Sequence, residues 1–486
     1  MESADYRPHF FFLPFMANGH MLPMVDMAKH FVLRGARVSI VTTELNVPIV
    51  LNSAKNHPGV EVLSFKFPAA EVGLPKGLEN ISVITSVEGT DIELVDKFFS
   101  AIPFMRDPVE QLLRERKPDC LIADFFFDWA VEASSRFDIP TLCFHGTCIF
   151  SMYTSECIHI HKPFANVSSD SDPVLLPHMP GNIMLAKNQL SSSDRITVDS
   201  AVSSSSKTLE VSKSVCYGAV FNSFYELETV YADLYKTMLD TRIWCVGPVS
   251  FFNQIYQEQP VASSPASECV RWLSSRKPNS VIYISFGSVA NLRDSQLQEI
   301  AMALESAGHD FIWVVRKPKG DDGLPERFEE RIASKGIIVR DWAPQQLILE
   351  HEAVGGFLTH CGWNSTLEGI AAGKPLVTWP VSAEQFYNEK LVTEVLKVGV
   401  PVGARKVVWL FGDSIEKVAI EKAMDRIMVG EEAEEMRVRV RSLAKLAKEA
   451  VEDGGSSCNS LRDLIHEIRS QAKSNCFLEN DGNQNP

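Results

Sequence analysis

The chain has 486 residues, 45 % of them hydrophobic and 22 % charged, and carries a formal net charge of −15 at pH 7. That length is too great for one compact core and fits two domains, while the composition is that of a water-soluble globular protein. The acidic surplus argues against nucleic acid or an anionic membrane surface as partner, and it leaves any anionic ligand to be held by local amides and single side chains.

In the first half, His9 to Phe15 reads as a buried strand, and its apolar run Phe10 to Phe15 is too short for a signal or membrane segment. Met16 to Gly19 reads as a loop, and Met21 to Leu33 as a helix with apolar residues at Met24, at Met27 or Ala28, and at Phe31. Gly35 stops it before a second strand, Arg37 to Thr43, and this βαβ opening predicts a doubly wound sheet. His20 lies between the first strand and the helix body, where the helix dipole disfavours imidazolium and suits a neutral general base. A histidine that merely caps the helix is the alternative.

Further strands are expected at Asp119 to Phe125, Thr141 to His145, Ala219 to Phe224 and Ile243 to Val249. Asp124 ends the first of these on the same carboxyl edge of the sheet, where it could accept the second ring N–H of His20 and fix its tautomer. The alternatives are a solvated loop aspartate, or Asp128 as partner, although Asp128 should lie in the following turn. Serine-rich Asn166 to Lys213 reads as surface loops, and loops near 73–100, 145–150 and 181–205 would line a pocket.

Residues 251–266 have the composition of a linker, after which a second α/β unit begins. Its strands are Val281 to Phe286, Phe311 to Val315, Ile337 to Arg340, Val354 to Thr359 and Pro375 to Trp379, with Gly287-Ser288 turning the chain after the first and a helix over Asp294 to Ala307. The exit from Val354–Thr359, His360-Cys361-Gly362-Trp363, leads into a helix opening near Asn364 or Ser365, so His360 stands beside amides that suit a phosphate. An ordinary capping box formed by Ser365 and Glu368 is an equal alternative there. Trp342 is either a stacking plate for a base or a core aromatic. Helices follow at Glu384 to Leu396, Ser414 to Val429 and Glu434 to Val451, and Leu461, Leu464, Ile465 and Ile468 mark a last amphipathic one.

Some signals point elsewhere and are weak. Asp170-Ser171-Asp172 has the D-x-D form of a metal site, but it sits in a loop rather than at a strand end. Cys157, His159 and His161 are spaced by two on a helical stretch and so face different ways, against zinc. Neither strand-to-helix turn carries G-x-G-x-x-G, against dinucleotide chemistry. Ten cysteines without C-x-x-C spacing read as reduced thiols. Of the sequons at Asn80, Asn166 and Asn364, the last would put a glycan on the phosphate corner. These features together point to the cytoplasm.

Trp342, HCGWNSTLEG (360–369) and Glu384-Gln385 occur together at separations that resemble the signature box of plant secondary-product UDP-glycosyltransferases, and PFMANGH, FNSFYELE and AEQFYNEK extend the resemblance over nearly the whole chain. The resemblance implies the GT-B architecture, α/β with two doubly wound Rossmann-like domains facing a cleft. It implies that Trp342 stacks on uracil and the Ala343 backbone pairs with its edge, that Gln345 and Glu368 hold the ribose, and that His360, Asn364 and Ser365 hold the pyrophosphate. Trp363, Glu384 and Gln385 would hold the sugar hydroxyls. Ser288 matches a phosphate-contacting position, and Thr147 lies near a sugar-contacting one. His20 and Asp124 match the family's catalytic dyad.

The resulting expectation is an acceptor domain over 1–250, a linker over 251–266, a UDP-sugar domain over 267–455, a helix over 456–473 returning to the first domain, and a disordered tail over 474–486. The expected activity is inverting, metal-independent transfer of glucose from UDP-glucose to a hydroxyl of a triterpenoid, flavonoid or other phenolic, by a monomer that needs no cofactor. Gln385 and Trp363 accompany glucose in the family, whereas Glu384 stands where many relatives have aspartate, which keeps UDP-glucuronate and UDP-galactose as alternative donors.

Overall fold

Phe10, Phe11 and Phe12 are all fully buried, so the first strand is covered on both faces, as a parallel sheet with helices on each side requires. The structure, a computed structural model, describes residues 6–54, 57, 59–86, 92–199, 216–251, 265–317, 323–340 and 342–482. The linker proposed for 251–266 lies almost entirely outside them.

In chain order the first strands are β1 (His9–Leu13), β2 (Arg37–Thr43), β3 (Val60–Phe65), β4 (Cys120–Asp124), β5 (Thr141–His145), the pair β6 (Pro173–Leu175) and β7 (Met184–Ala186), β8 (Gly218–Phe221) and β9 (Ile243–Cys245). Seven of them form one parallel sheet in the order β3-β2-β1-β4-β5-β8-β9, while β6 and β7 pair separately as an antiparallel hairpin. The helix after β1 spans Asn18–Leu33 and starts three residues before the expected Met21, which puts His20 in its first turn. The last helix, Ser456–Gly482, lays Leu461, Leu464, Ile465 and Ile468 into the same core as Phe10, Phe12 and Phe31. The tail expected to be disordered from 474 is therefore helical as far as Gly482. Between Ser456 and Asp481 the sequence has neither glycine nor proline to stop it.

The second series is β10 (Val281–Ser285), β11 (Asp310–Val314), β12 (Gly336–Val339), β13 (Val354–Thr359), β14 (Leu376–Thr378) and β15 (Gly399–Pro401). They form a second parallel sheet in the order β12-β11-β10-β13-β14-β15, so the chain is of the GT-B type with two Rossmann-like sheets. By spatial proximity it divides into Met1–Gly146 with Ser204–Gln257 and Glu449–Pro486, and Thr147–Ser203 with Glu258–Lys448. The segment Thr147–Ser203, expected in the first domain, groups with the second. Two buried contacts account for that: Tyr387 donates to Asp194 Oδ2 at 2.6 Å, and Ser151 donates to Asn388 Oδ1 at 2.7 Å. Among the described residues no helix is long and apolar enough to cross a membrane.

Candidate active site

In each sheet the strand order reverses beside the first strand, and ligands of such sheets collect outside the carboxyl ends at that point. In the first sheet the strands flanking the reversal are β1 and β4. His20 follows β1 and Asp124 is the last residue of β4, so the two meet there: His20 Nδ1 lies 2.8 Å from Asp124 Oδ2. The imidazole is 22 % exposed and the carboxylate is fully buried. Asp124 Oδ1 accepts the Phe126 amide at 3.2 Å, which fixes the carboxylate in plane, while Asp128 is exposed in the turn beyond. The carboxylate thus orients one ring nitrogen and directs the other away from it.

The imidazole fits this corner only because residue 146 has no side chain. A Cβ on Gly146 would lie 2.8 Å from both Nδ1 and Cε1 of His20. Beside the ring stands an aromatic wall: Phe15 stacks on Phe126 with centroids 4.3 Å apart and on Phe99 at 5.7 Å, and Phe126 lies 5.4 Å from the His20 ring. Sequence reasoning missed both features. The run Phe125-Phe126-Phe127 was a visible signal, but it reads as strand core.

In the second unit the flanking strands are β10 and β13. Gly287 and Ser288 follow β10 and His360 follows β13. A Cβ on Gly287 would come within 2.5 Å of His360 Cε1, and one on Gly362 within 2.4 Å of Nε2, so two glycines make the slot for this imidazole. Burial lowers its pKa to about 4, and Nδ1 is a buried atom with no hydrogen-bond partner. A neutral, desolvated ring with an unanswered nitrogen suits a ligand that brings its own polar atoms. The next helix begins at Trp363, one residue before the earliest expected start, with Gly362 at the N-cap and no side-chain cap. Asn364 and Ser365 fall in its first turn.

The capping-box alternative is overturned. Gln345 Nε2 donates to Ser365 Oγ at 3.1 Å and to Glu368 Oε2 at 2.7 Å, while Tyr283 donates to Gln345 Oε1 at 3.2 Å. Ser365 lies inside the helix rather than at its N-cap, and it and Glu368 both meet Gln345 of the helix Gln345–Glu350. The core alternative for Trp342 also falls, because its indole is 70 % exposed, with Ala343 next to it on the way into the helix Gln345–Glu350. Ser288 presents its carbonyl to Arg316. Gln385 Oε1 accepts the amides of Val381 and Ser382 at 2.8 and 2.9 Å, and Glu384 Oε1 accepts Asn388 Nδ2 at 3.2 Å. Trp363 is buried, and so is Thr147, whose Oγ1 has no partner.

Three of the candidate metal ligands have other partners. Asp170 Oδ2 accepts Arg195 at 2.6 Å, Asp172 Oδ2 accepts the Ser169 amide at 3.0 Å, and His159 faces Asp194 at 2.9 Å.

The family model described as UDP-glucoronosyl and UDP-glucosyl transferase matches residues 257–434. The chain is 49 % identical over 485 residues to UDP-glycosyltransferase 73B3 of Arabidopsis thaliana, covering 97 % of this chain and 100 % of that one. It is 46 % identical over 469 residues to scopoletin glucosyltransferase of Nicotiana tabacum, covering 95 % and 98 %. Among solved structures, Glycyrrhiza uralensis UGT73P12 complexed with glycyrrhetinic acid 3-O-monoglucuronide matches with a TM-score of 0.87 at 35 % identity, covering 98 % of this chain and 99 % of that one.

Proposed function

Because the chain belongs to the UDP-glycosyltransferase family, we propose that it transfers glucose from UDP-glucose to a hydroxyl of an apolar plant metabolite, a triterpenoid or a phenolic, with inversion and without a metal ion. The contact of His20 Nδ1 with the buried Asp124 carboxylate at 2.8 Å carries this reading. It leaves Nε2 as the atom that takes the acceptor proton. As that proton leaves, the acceptor oxygen attacks C1 of the sugar, the bond from C1 to the diphosphate oxygen breaks, and UDP departs with the electron pair. Asp124 stabilises the imidazolium that results. Attack opposite the leaving group turns an α-linked donor into a β-glycoside.

For the donor, Trp342 stacks on uracil beside the Ala343 backbone, Glu368 and Gln345 serve the ribose, and Ser288, His360, Asn364 and Ser365 serve the diphosphate. Trp363, Glu384, Gln385 and Thr147 serve the sugar. A solvent-facing indole, an unanswered His360 nitrogen and an unanswered Thr147 hydroxyl support these roles. Glucose as donor is supported by the presence of Gln385 with Trp363 and by a glucosyltransferase among the relatives. The wall of Phe15, Phe99 and Phe126 beside His20 favours a flat or polycyclic apolar acceptor. We place the protein in the cytoplasm. Cys143 and Cys216 hold their sulfurs 3.3 Å apart, a hydrogen-bond distance well beyond the S–S bond of a disulfide, and the sequon residue Asn80 is buried and bonded to Asn46 and Ser82.

The test is UDP release from UDP-glucose, UDP-glucuronate and UDP-galactose, each against a panel of triterpenoid, flavonoid and coumarin aglycones. UDP-glucose should be turned over fastest, and only with acceptor. His20→Ala should lower the rate by roughly a hundred- to ten-thousandfold. Release without acceptor, or an unchanged rate in His20→Ala, refutes the reading. A faster rate with either other donor refutes the choice of glucose.

A further inference from the structure

The short helix Gln385–Lys390 carries a side chain that no feature of the sequence marks out. Asn388 is fully buried. Its Nδ2 donates to the Cys361 carbonyl at 2.8 Å and to Glu384 Oε1 at 3.2 Å, while its Oδ1 accepts Ser151 Oγ at 2.7 Å and Cys148 Sγ at 3.2 Å. A primary amide has two donor hydrogens and two acceptor lone pairs, and all four are used here. The orientation is fixed by chemistry: a flipped amide would set its oxygen against a carbonyl and a carboxylate, both of which only accept.

We propose that Asn388 is the positioning residue of the donor-sugar subsite, pinning the Glu384 carboxylate on one side and the Thr147 end of the helix Ile149–His161 on the other. The second half of that statement rests on the cap of that helix. Cys148 is its N-cap and accepts the Ser151 amide, so a grip on Cys148 and Ser151 fixes the residue immediately before them. Thr147 brings to that place a buried hydroxyl with no partner. Glu384 is a partly exposed carboxylate at the start of this helix, and the buried Asn388 amide is a donor that holds one of its oxygens from within the core. Aspartate at 388 would put a second carboxylate in hydrogen-bond range of the first, and alanine would leave Glu384 and the Cys361 carbonyl without this donor. The inference rests on the reading that Glu384 contacts the sugar.

The test uses the full chain with Asn388→Ala, Asn388→Asp, Ser151→Ala and Glu384→Gln. For each variant it reads the dissociation constant of UDP, which has no sugar, together with kcat and KM for UDP-glucose and UDP-galactose. Both Asn388 variants should lose about tenfold or more in kcat/KM for UDP-glucose and most of the discrimination between the two donors, while UDP affinity stays within about threefold. Ser151→Ala, a milder change that spares Glu384, should show a smaller loss of the same selectivity. Adding Glu384→Gln to Asn388→Ala should cost less than the sum of the two. If UDP affinity falls as far as that for UDP-glucose, Asn388 merely supports the fold or the phosphate turn and the proposal is overturned. It is equally overturned if Glu384→Gln loses donor discrimination and the Asn388 variants keep it. If Glu384→Gln itself keeps discrimination, the sugar-site reading fails first and takes this one with it.

Discussion

Gly146→Ala tests the proposed catalytic geometry without replacing His20 or Asp124. The added methyl would sit 2.8 Å from His20 Nδ1 and Cε1, against an ordinary contact of about 3.5 Å, so the ring must retreat by roughly 0.7 Å. The crowded nitrogen is the one 2.8 Å from Asp124 Oδ2. A displacement of that size at Nδ1 is enough to take the bond past the hydrogen-bonding limit of about 3.2 Å. Misplacing a catalytic group by about 1 Å costs on the order of a hundredfold, so kcat should fall by about ten- to a hundredfold. The donor box is untouched, and UDP affinity should stay within about twofold. UDP release at saturating donor and acceptor gives kcat, and calorimetry gives the UDP dissociation constant. In Asp124→Asn the dyad is already impaired, so adding Gly146→Ala should cost little more. A variant that folds, binds UDP and keeps kcat within twofold of the parent would refute the claim that this glycine sets the dyad.

Two other perturbations probe the second unit. In Gly362→Ala the methyl would come within 2.4 Å of His360 Nε2 and displace the ring, so UDP should bind about ten- to a hundredfold more weakly, the value of a hydrogen bond to a charged group; unchanged affinity in calorimetry removes His360 from the phosphate site. Burial raises the Glu389 carboxyl from 4.5 to about 7, although it accepts Thr378 Oγ1 at 2.7 Å. Its folded pKa is raised, so its stabilising contribution is present below about pH 4.5 and is lost as pH climbs through 7. His360, lowered from 6.5 to about 4, works the opposite way: its contribution is present above pH 6.5 and lost as pH falls towards 4. The two slopes oppose each other over their shared window. Glu389→Gln, which does not titrate, should therefore gain on the parent as pH rises from about 4.5 to 7, by up to about 3 kcal/mol from 2.5 pKa units at 1.36 kcal/mol each. Thermal midpoints at pH 5 and 8 check it, and a difference that does not grow with pH rules out a buried proton on Glu389.

The features legible in the sequence are those set by one strand and the turn that follows it. His20, Asp124, Ser288 and His360 all follow or end hydrophobic runs, and in a doubly wound sheet those ends are where ligands gather. What stayed hidden depends on which strands become neighbours. Ser365 and Glu368 have the spacing of a cap, and spacing alone cannot show that Gln345, from the helix after β12, reaches them first. Gly146 could not be read as a contact of His20, because only the order β1-β4-β5 brings the end of β5 near the helix that follows β1. The same limit governs Asn388. Its helix is legible, but its four partners come from the turn after β13, the start of its own helix and the helix after β5. Side chains proposed to take part in the chemistry lie at strand ends, where a local pattern marks them. Side chains that only aim others are identified by their partners, and those partners exist only once both the sheet order and the helix packing are in place.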